Sequence, residues 1–146
     1  AQEAIWLEDE SRRIGDINMP LPFWNMMRRS PVFFLEVPFE ERLKYITEEY
    51  GKFKKEELVN ATVRIRKRLG GVNAKNAIGF MLEDNYTEAF RILLGYYDKF
   101  YAHGLNDRDG LKELLTKWDG SDGRFDDRAF DQARALLAEI EKEEGK

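Results

Sequence analysis

Strand-forming sequence is scarce in this chain of 146 residues, and that scarcity limits its possible folds most. Ala4-Ile5-Trp6-Leu7 is a short apolar run that ends in acids. Val32-Phe33-Phe34-Leu35-Glu36-Val37 is β-branched and aromatic, and Pro38 stops it. Both read as buried strands. A third segment is ambiguous: Leu115-Thr116-Lys117-Trp118 suits a strand, while Lys112-Glu113-Leu114-Leu115 suits a helix.

The rest is mostly helical in period. Pro22 to Arg29 reads as a short helix with proline in its first turn, after a loop from Arg12 to Pro22. Phe39, Leu43, Ile46 and Tyr50 recur at helix spacing, and Gly51 ends that helix. Leu58, Val59, Thr62, Ile65 and Leu69 mark a helix from Lys55 to Leu69, ended by Gly70-Gly71. Asn73 is expected to cap a helix from Ala74 to Glu83. Thr87 is expected to cap the next, Glu88 to His103, which Gly104 stops. Asp126 is expected to cap a last helix from Asp127 to Glu143. The order is β-α-β, then four or five helices, then a possible β-α. It predicts a helix-rich α/β chain with two or three parallel strands: a βαβα core over 3–50, a helical insertion over 54–104 and a C-terminal strand and helix over 111–143.

Composition excludes several chemistries. The chain has no cysteine, so it has no disulfide, no thiolate nucleophile and no cysteine metal ligand. A single histidine, His103, disfavours a histidine-built metal site and a Ser-His-Asp triad. The net charge of −4 argues against binding nucleic acid over the whole surface, but leaves room for a local basic patch. Apolar runs are too short for a membrane helix, and the N-terminus does not read as a signal peptide. An ordinary cytoplasmic protein is expected. A chain that opens so close to strand-like sequence looks cut from something longer.

Three groups can carry function. At the first strand's end, Glu8-Asp9-Glu10-Ser11-Arg12-Arg13 puts acids and an arginine pair where α/β folds place ligand chemistry. The acids can hold magnesium or orient water, and the arginines can grip phosphate. The plain alternative is a solvated charged loop. Arg64, Arg66, Lys67 and Arg68 place four cations in five positions, fit for a nucleic-acid backbone or for a solvated helix end. Arg28 and Arg29 can extend such a patch. Phe90, Tyr96, Tyr97, Phe100 and Tyr101 can stack bases, although helical spacing favours core packing. Asp98 among them is either a functional acid or an exposed one. The Asp119 to Asp127 stretch fails as a calcium loop, because its glycines would put Leu115 or Trp118 at the first ligand position. No G-x-x-x-x-G-K-[ST] phosphate loop is present.

Taken together in order, these segments resemble the C-terminal half of bacterial tRNA 2-selenouridine synthase. The resemblance is carried by Trp6-Leu7-Glu8-Asp9-Glu10-Ser11-Arg12-Arg13-Ile14-Gly15, Met19-Pro20, Pro38-Phe39-Glu40-Glu41-Arg42-Leu43 and Glu48-Glu49-Tyr50. It continues through Ile65-Arg66-Lys67-Arg68-Leu69-Gly70 and Leu93-Leu94-Gly95-Tyr96-Tyr97-Asp98-Lys99-Phe100-Tyr101. It implies a rhodanese-like domain joined to a P-loop domain, of which this chain is the distal part with a partial parallel sheet. The implied enzyme transfers a geranyl group from geranyl diphosphate to the sulfur of wobble 2-thiouridine in tRNA. It then replaces the S-geranyl group with selenium from selenophosphate.

Under that resemblance Glu10 and Arg12 become the catalytic candidates. Asp9 and Arg13 become ligand-binding candidates, and Arg64, Arg66, Lys67 and Arg68 the tRNA-binding ones. No metal and no resident cofactor is expected in this chain. The family's rhodanese cysteine and its Walker A loop are absent from it. The isolated chain is therefore expected to lack selenium transfer and to expose an unpaired sheet edge. The alternatives are a non-enzymatic helical RNA-binding or adaptor module and, third, a small nucleotide kinase-like protein.

Overall fold

The computed structural model describes residues 5–9 and 11–119, together with Ala135 and Ala138. The expected turn after Asp119, the cap at Asp126 and the last helix fall outside the described residues.

Strand β3, Val32–Glu36, forms as its sequence predicts. It pairs in parallel with β4, Leu115–Asp119, from Val32↔Leu115 to Glu36↔Asp119. The ambiguous 111–118 segment is both things in turn. It makes one helical turn, α7 (Leu111–Leu114), and then the strand. Strand alternation sends β3 side chains to opposite faces. Phe33 meets Trp6 with ring centroids 5.2 Å apart, and Phe34 meets Tyr101 at 6.1 Å.

Residues 5–9 form no strand, contrary to the sequence reading. An apolar run becomes a strand only where a neighbour accepts its ladder hydrogen bonds, and none is paired with it among the described residues. The predicted loop after it holds a small antiparallel hairpin of β1 (Arg13–Ile14) and β2 (Ile17–Asn18). Its two-residue turn has Gly15 at φ 60°, a backbone that glycine adopts without a Cβ clash.

Helix α1 (Leu21–Arg28) carries Pro22 in its first turn. Helix α2 (Phe39–Tyr50) matches its predicted limits. The helix read as Lys55 to Leu69 is broken. It runs as α3 (Lys55–Arg64), bends at Ile65 (φ −95°, ψ 3°) and restarts as α4 (Arg66–Leu69). Ile65 is half-buried and Leu69 buried, so the bend tucks both inward. Gly70 at φ 89° then reverses the chain into α5 (Gly71–Leu82). Asn73 is therefore no N-cap: it sits in the first turn of α5 and its Nδ2 donates to the Leu69 carbonyl at 3.1 Å. Asn85, and not Thr87, caps α6 (Tyr86–Asn106) by accepting from the Glu88 amide. Gly104 does not stop that helix, which continues past it to Asn106. One glycine costs a helix only about 1 kcal/mol, too little to end it where the flanking turns pack.

The core lies among α2, α3, α5 and α6. Leu43, Leu58, Met81, Ala89, Phe90 and Leu94 form it, with Phe39, Ile46 and Leu93 packed around them. Thr62 is buried there, its hydroxyl donating to the Leu58 carbonyl at 2.9 Å and facing Met81 Sδ at 3.7 Å. No described helix is long and apolar enough to cross a membrane.

Leu43 is 1% exposed at the centre of this core. Leu43→Ala is expected to destabilise the chain by about 2–5 kcal/mol. Denaturant unfolding checks this, and a loss below about 1 kcal/mol would place the core elsewhere.

Candidate functional site

Two charged contacts fix the segments that carry the family-like motifs. Arg42 on α2 makes a bidentate pair with Asp98 on α6. Its Nη1 donates to Oδ1 at 2.7 Å and its Nη2 to Oδ2 at 2.8 Å. Its Nε donates to the Val37 carbonyl just after β3 at 3.0 Å. The hydrogen bonds to Asp98 hold the Arg42 guanidinium above its ordinary pKa. Asp98 is thus a structural acid, engaged and half-buried.

The second contact ties the first motif down. Asp9 Oδ2 accepts from Arg108 Nη2 at 2.6 Å, and the Arg108 side chain is only 1% exposed. Arg108 Nε is buried with no partner among the described residues. A buried guanidinium needs its counter-charge, so Asp9 pins residues 5–9 to the corner after α6.

Between these segments lies a cleft of about 180 Å³. It is lined by Asp9, Ser11 and Arg12, by Trp24 and Arg28 of α1, and by Phe100, Tyr101, His103, Gly104 and Leu105 of α6. A larger hollow, about 640 Å³, is lined only by α1 and the turn after it, through Ser30. One helix face encloses nothing, so the smaller cleft is the better candidate.

The sequence-derived residues distribute unevenly. Asp9 and Arg12 reach the cleft together. Arg12 is exposed, with Nε donating to the Met19 carbonyl at 3.0 Å, which leaves its terminal amines for a ligand. Arg13 turns back on the hairpin instead, donating to the Gly15 carbonyl at 2.8 Å and pairing with Asp16 at 3.1 Å. It does not line the cleft. Glu10 lies outside the described residues. Arg64, Arg66, Lys67 and Arg68 are all exposed around the Ile65 bend, with no side-chain ion pair among the described residues. Of the aromatic group, Phe90 is core, while Phe100 and Tyr101 line the cleft. No group of three or more metal-ligating side chains occurs among the described residues.

Sequence reasoning missed Arg108, Arg28, Trp24 and His103. Arg28 was visible only as a possible extension of the basic run. The structure turns it to the cleft, where Nη1 donates to the Gly104 carbonyl at 3.0 Å and its guanidinium lies 5.5 Å from the Trp24 ring.

A family profile described as the tRNA 2-selenouridine synthase AAA domain matches residues 1–119. The tRNA 2-selenouridine synthase of Chromohalobacter salexigens is 29% identical over 127 residues, covering 68% of this chain and 35% of that protein. That of Marinobacter nauticus is 29% identical over 149 residues, covering 78% and 41%. That of Pseudomonas syringae pv. tomato is 32% identical over 131 residues, covering 69% and 36%. The chain thus spans roughly two-fifths or less of the length of these relatives. No solved structure gives a significant match.

The Asp9–Arg108 pair yields a stability test. Asp9→Ala strands a buried charge and is expected to cost about 3–5 kcal/mol. Adding Arg108→Met should return most of that loss, because the stranded charge is then gone. Losses that simply add in denaturant unfolding would show that the two side chains do not depend on each other.

Proposed function

Because the chain belongs to the tRNA 2-selenouridine synthase AAA-domain family, we propose that it is part of a transferase that replaces sulfur with selenium in tRNA. In this reading the whole enzyme first attaches a geranyl group from geranyl diphosphate to the sulfur of wobble 2-thiouridine. It then exchanges the S-geranyl group for selenium from selenophosphate. The chain is the distal part of the P-loop domain. The rhodanese-like domain and the Walker A segment are supplied by the rest of the protein, in the cytoplasm.

The observation that carries the reading is the exposed cation cluster at the Ile65 bend, in a family whose named substrate is a polyanion. Leu69 faces the core, so Arg66, Lys67 and Arg68 on the same turn face outward. Arg64 joins them from the end of α3. Four exposed cations within about one turn, without an ion pair among the described residues, suit phosphates along a folded RNA backbone.

The cleft supplies the second half. Arg12 beside Asp9 is placed to meet a phosphate-bearing substrate. Both proposed steps release or carry phosphate, and a fixed guanidinium stabilises the charge that develops on the departing group. Glu10, next to Asp9 in sequence, remains the candidate acid for this site, and Arg13 a more distant cation.

A salt titration of tRNA binding tests the assignment. Each phosphate contact contributes roughly 0.7–0.9 to the slope of log K against log salt. Changing Arg64, Arg66, Lys67 and Arg68 together to Ala should lower the slope by about 3 and weaken binding at every sequence tested. A slope unchanged by the four substitutions would remove this face from the tRNA interface.

A further inference from the structure

We propose that Arg28 and His103 are phosphate-binding residues of the cleft, and that they seat the anionic end of a small organophosphate against Arg12. Trp24, Phe100 and Tyr101 then take the apolar part of the same ligand. The proposal deepens the reading above and rests on its claim that the cleft handles phosphate-bearing substrates.

The charge arrangement carries the argument. Among the described residues, the ionisable groups that line the cleft are Asp9, Arg12, Arg28, His103 and the Tyr101 phenol. Asp9 is the one carboxylate among these described groups, and it is already paired with the buried Arg108, so the neighbouring Glu10 adds at most one negative charge against two arginines. Arg12 and Arg28 are left in excess, in a chain whose net charge is −4. A concave site with one sign of charge concentrates ligands of the other.

Geometry adds direction. Arg28 spends one N–H on the Gly104 carbonyl. That bond satisfies a carbonyl near the end of α6 and anchors the guanidinium on the Trp24 face. Its remaining donors have no partner among the described residues, and a planar fork matches two phosphate oxygens at once. His103, one residue before Gly104, is exposed and lines the same cleft, so its ring can donate beside the fork. At about 180 Å³ the cleft is smaller than the roughly 300–1,000 Å³ of sites that enclose drug-sized ligands. It suits a headgroup whose tail lies along rings. Phe100 is 55% exposed and Tyr101 half-buried, which supplies such a wall. An arginine that served only to cap α6 would need neither a histidine beside it nor an aromatic floor.

Calorimetric titration with inorganic pyrophosphate, and in parallel with geranyl diphosphate, tests this on the intact chain. Arg28→Gln removes the charge and the planar fork while keeping a polar amide side chain on α1. His103→Ala changes an exposed side chain and should not disturb folding. Each is expected to weaken pyrophosphate binding about tenfold or more, the loss of one charge-assisted hydrogen bond. Trp24→Ala should weaken geranyl diphosphate more than pyrophosphate. Neither Arg28→Gln nor His103→Ala should change the salt slope for tRNA.

If Arg12→Ala weakens pyrophosphate while Arg28→Gln and His103→Ala do not, the phosphate reading of the cleft stands and this inference is overturned. If wild-type chain binds neither probe, both fall. A change in the tRNA slope with Arg28→Gln or His103→Ala would assign them to RNA instead and overturn the small-ligand proposal.

Discussion

The bidentate pair of Arg42 and Asp98 holds the rest in place. One guanidinium joins α2, which carries it, α6, which carries its carboxylate, and the residue just after β3, Val37, whose carbonyl accepts its third hydrogen bond. The sheet has only two described strands, and the apolar core lies in the helices. A two-stranded sheet is marginal alone and needs a packed partner. Arg42 provides a directional link between them, and Phe34 against Tyr101 adds an apolar one. The pair is half-buried, so water screens it less than the exposed Arg13–Asp16 or Lys52–Glu49 pairs.

From that link the position of the cleft follows. α6 runs from the helical core to the sheet, and its last turns floor the cleft. Arg28 fastens α1 to one side of that end, and Arg108 fastens residues 5–9 to the other. The basic bend lies where α3 and α4 turn around Ile65 and Leu69, and none of its four cations lines the cleft. The proposed RNA contact and the proposed small-ligand site therefore draw on different residues.

Local signals in the sequence revealed local structure. β3 and α2 were legible because β-branched and aromatic residues, flanking prolines and a clean helical period all agree there. The break at Ile65 was not, since Lys55 to Leu69 keeps one apolar period through a change of direction. Asn73 and Thr87 resembled caps, yet Gly70 and Asn85 took that role, because cap identity depends on where the preceding chain turns. Gly104 resembled a stop, but Arg28 from α1 satisfies the carbonyl that glycine would have left exposed. The apolar run before Glu8 has the composition of a strand, but its described residues join no sheet.

The site was legible in part for the same reason. Asp9 and Arg12 share one motif and reach one cleft. Arg28 and Arg108 join them through contacts spanning 76 and 99 residues, and His103 by its place beside Gly104, none of which a local pattern displays. The resemblance in the Pro38 to Leu43 and Leu93 to Tyr101 motifs acquired a physical meaning only when Arg42 of one met Asp98 of the other.

Amide hydrogen exchange in Asp98→Ala tests the central role of that link. Opening free energies report which segments unfold together. If Arg42 and Asp98 couple sheet and helices, protection falls jointly in β3 and in the cleft-forming end of α6, while α3 and α5 keep theirs. Loss confined to the turn of α6 around residue 98, with β3 unchanged, would contradict the account.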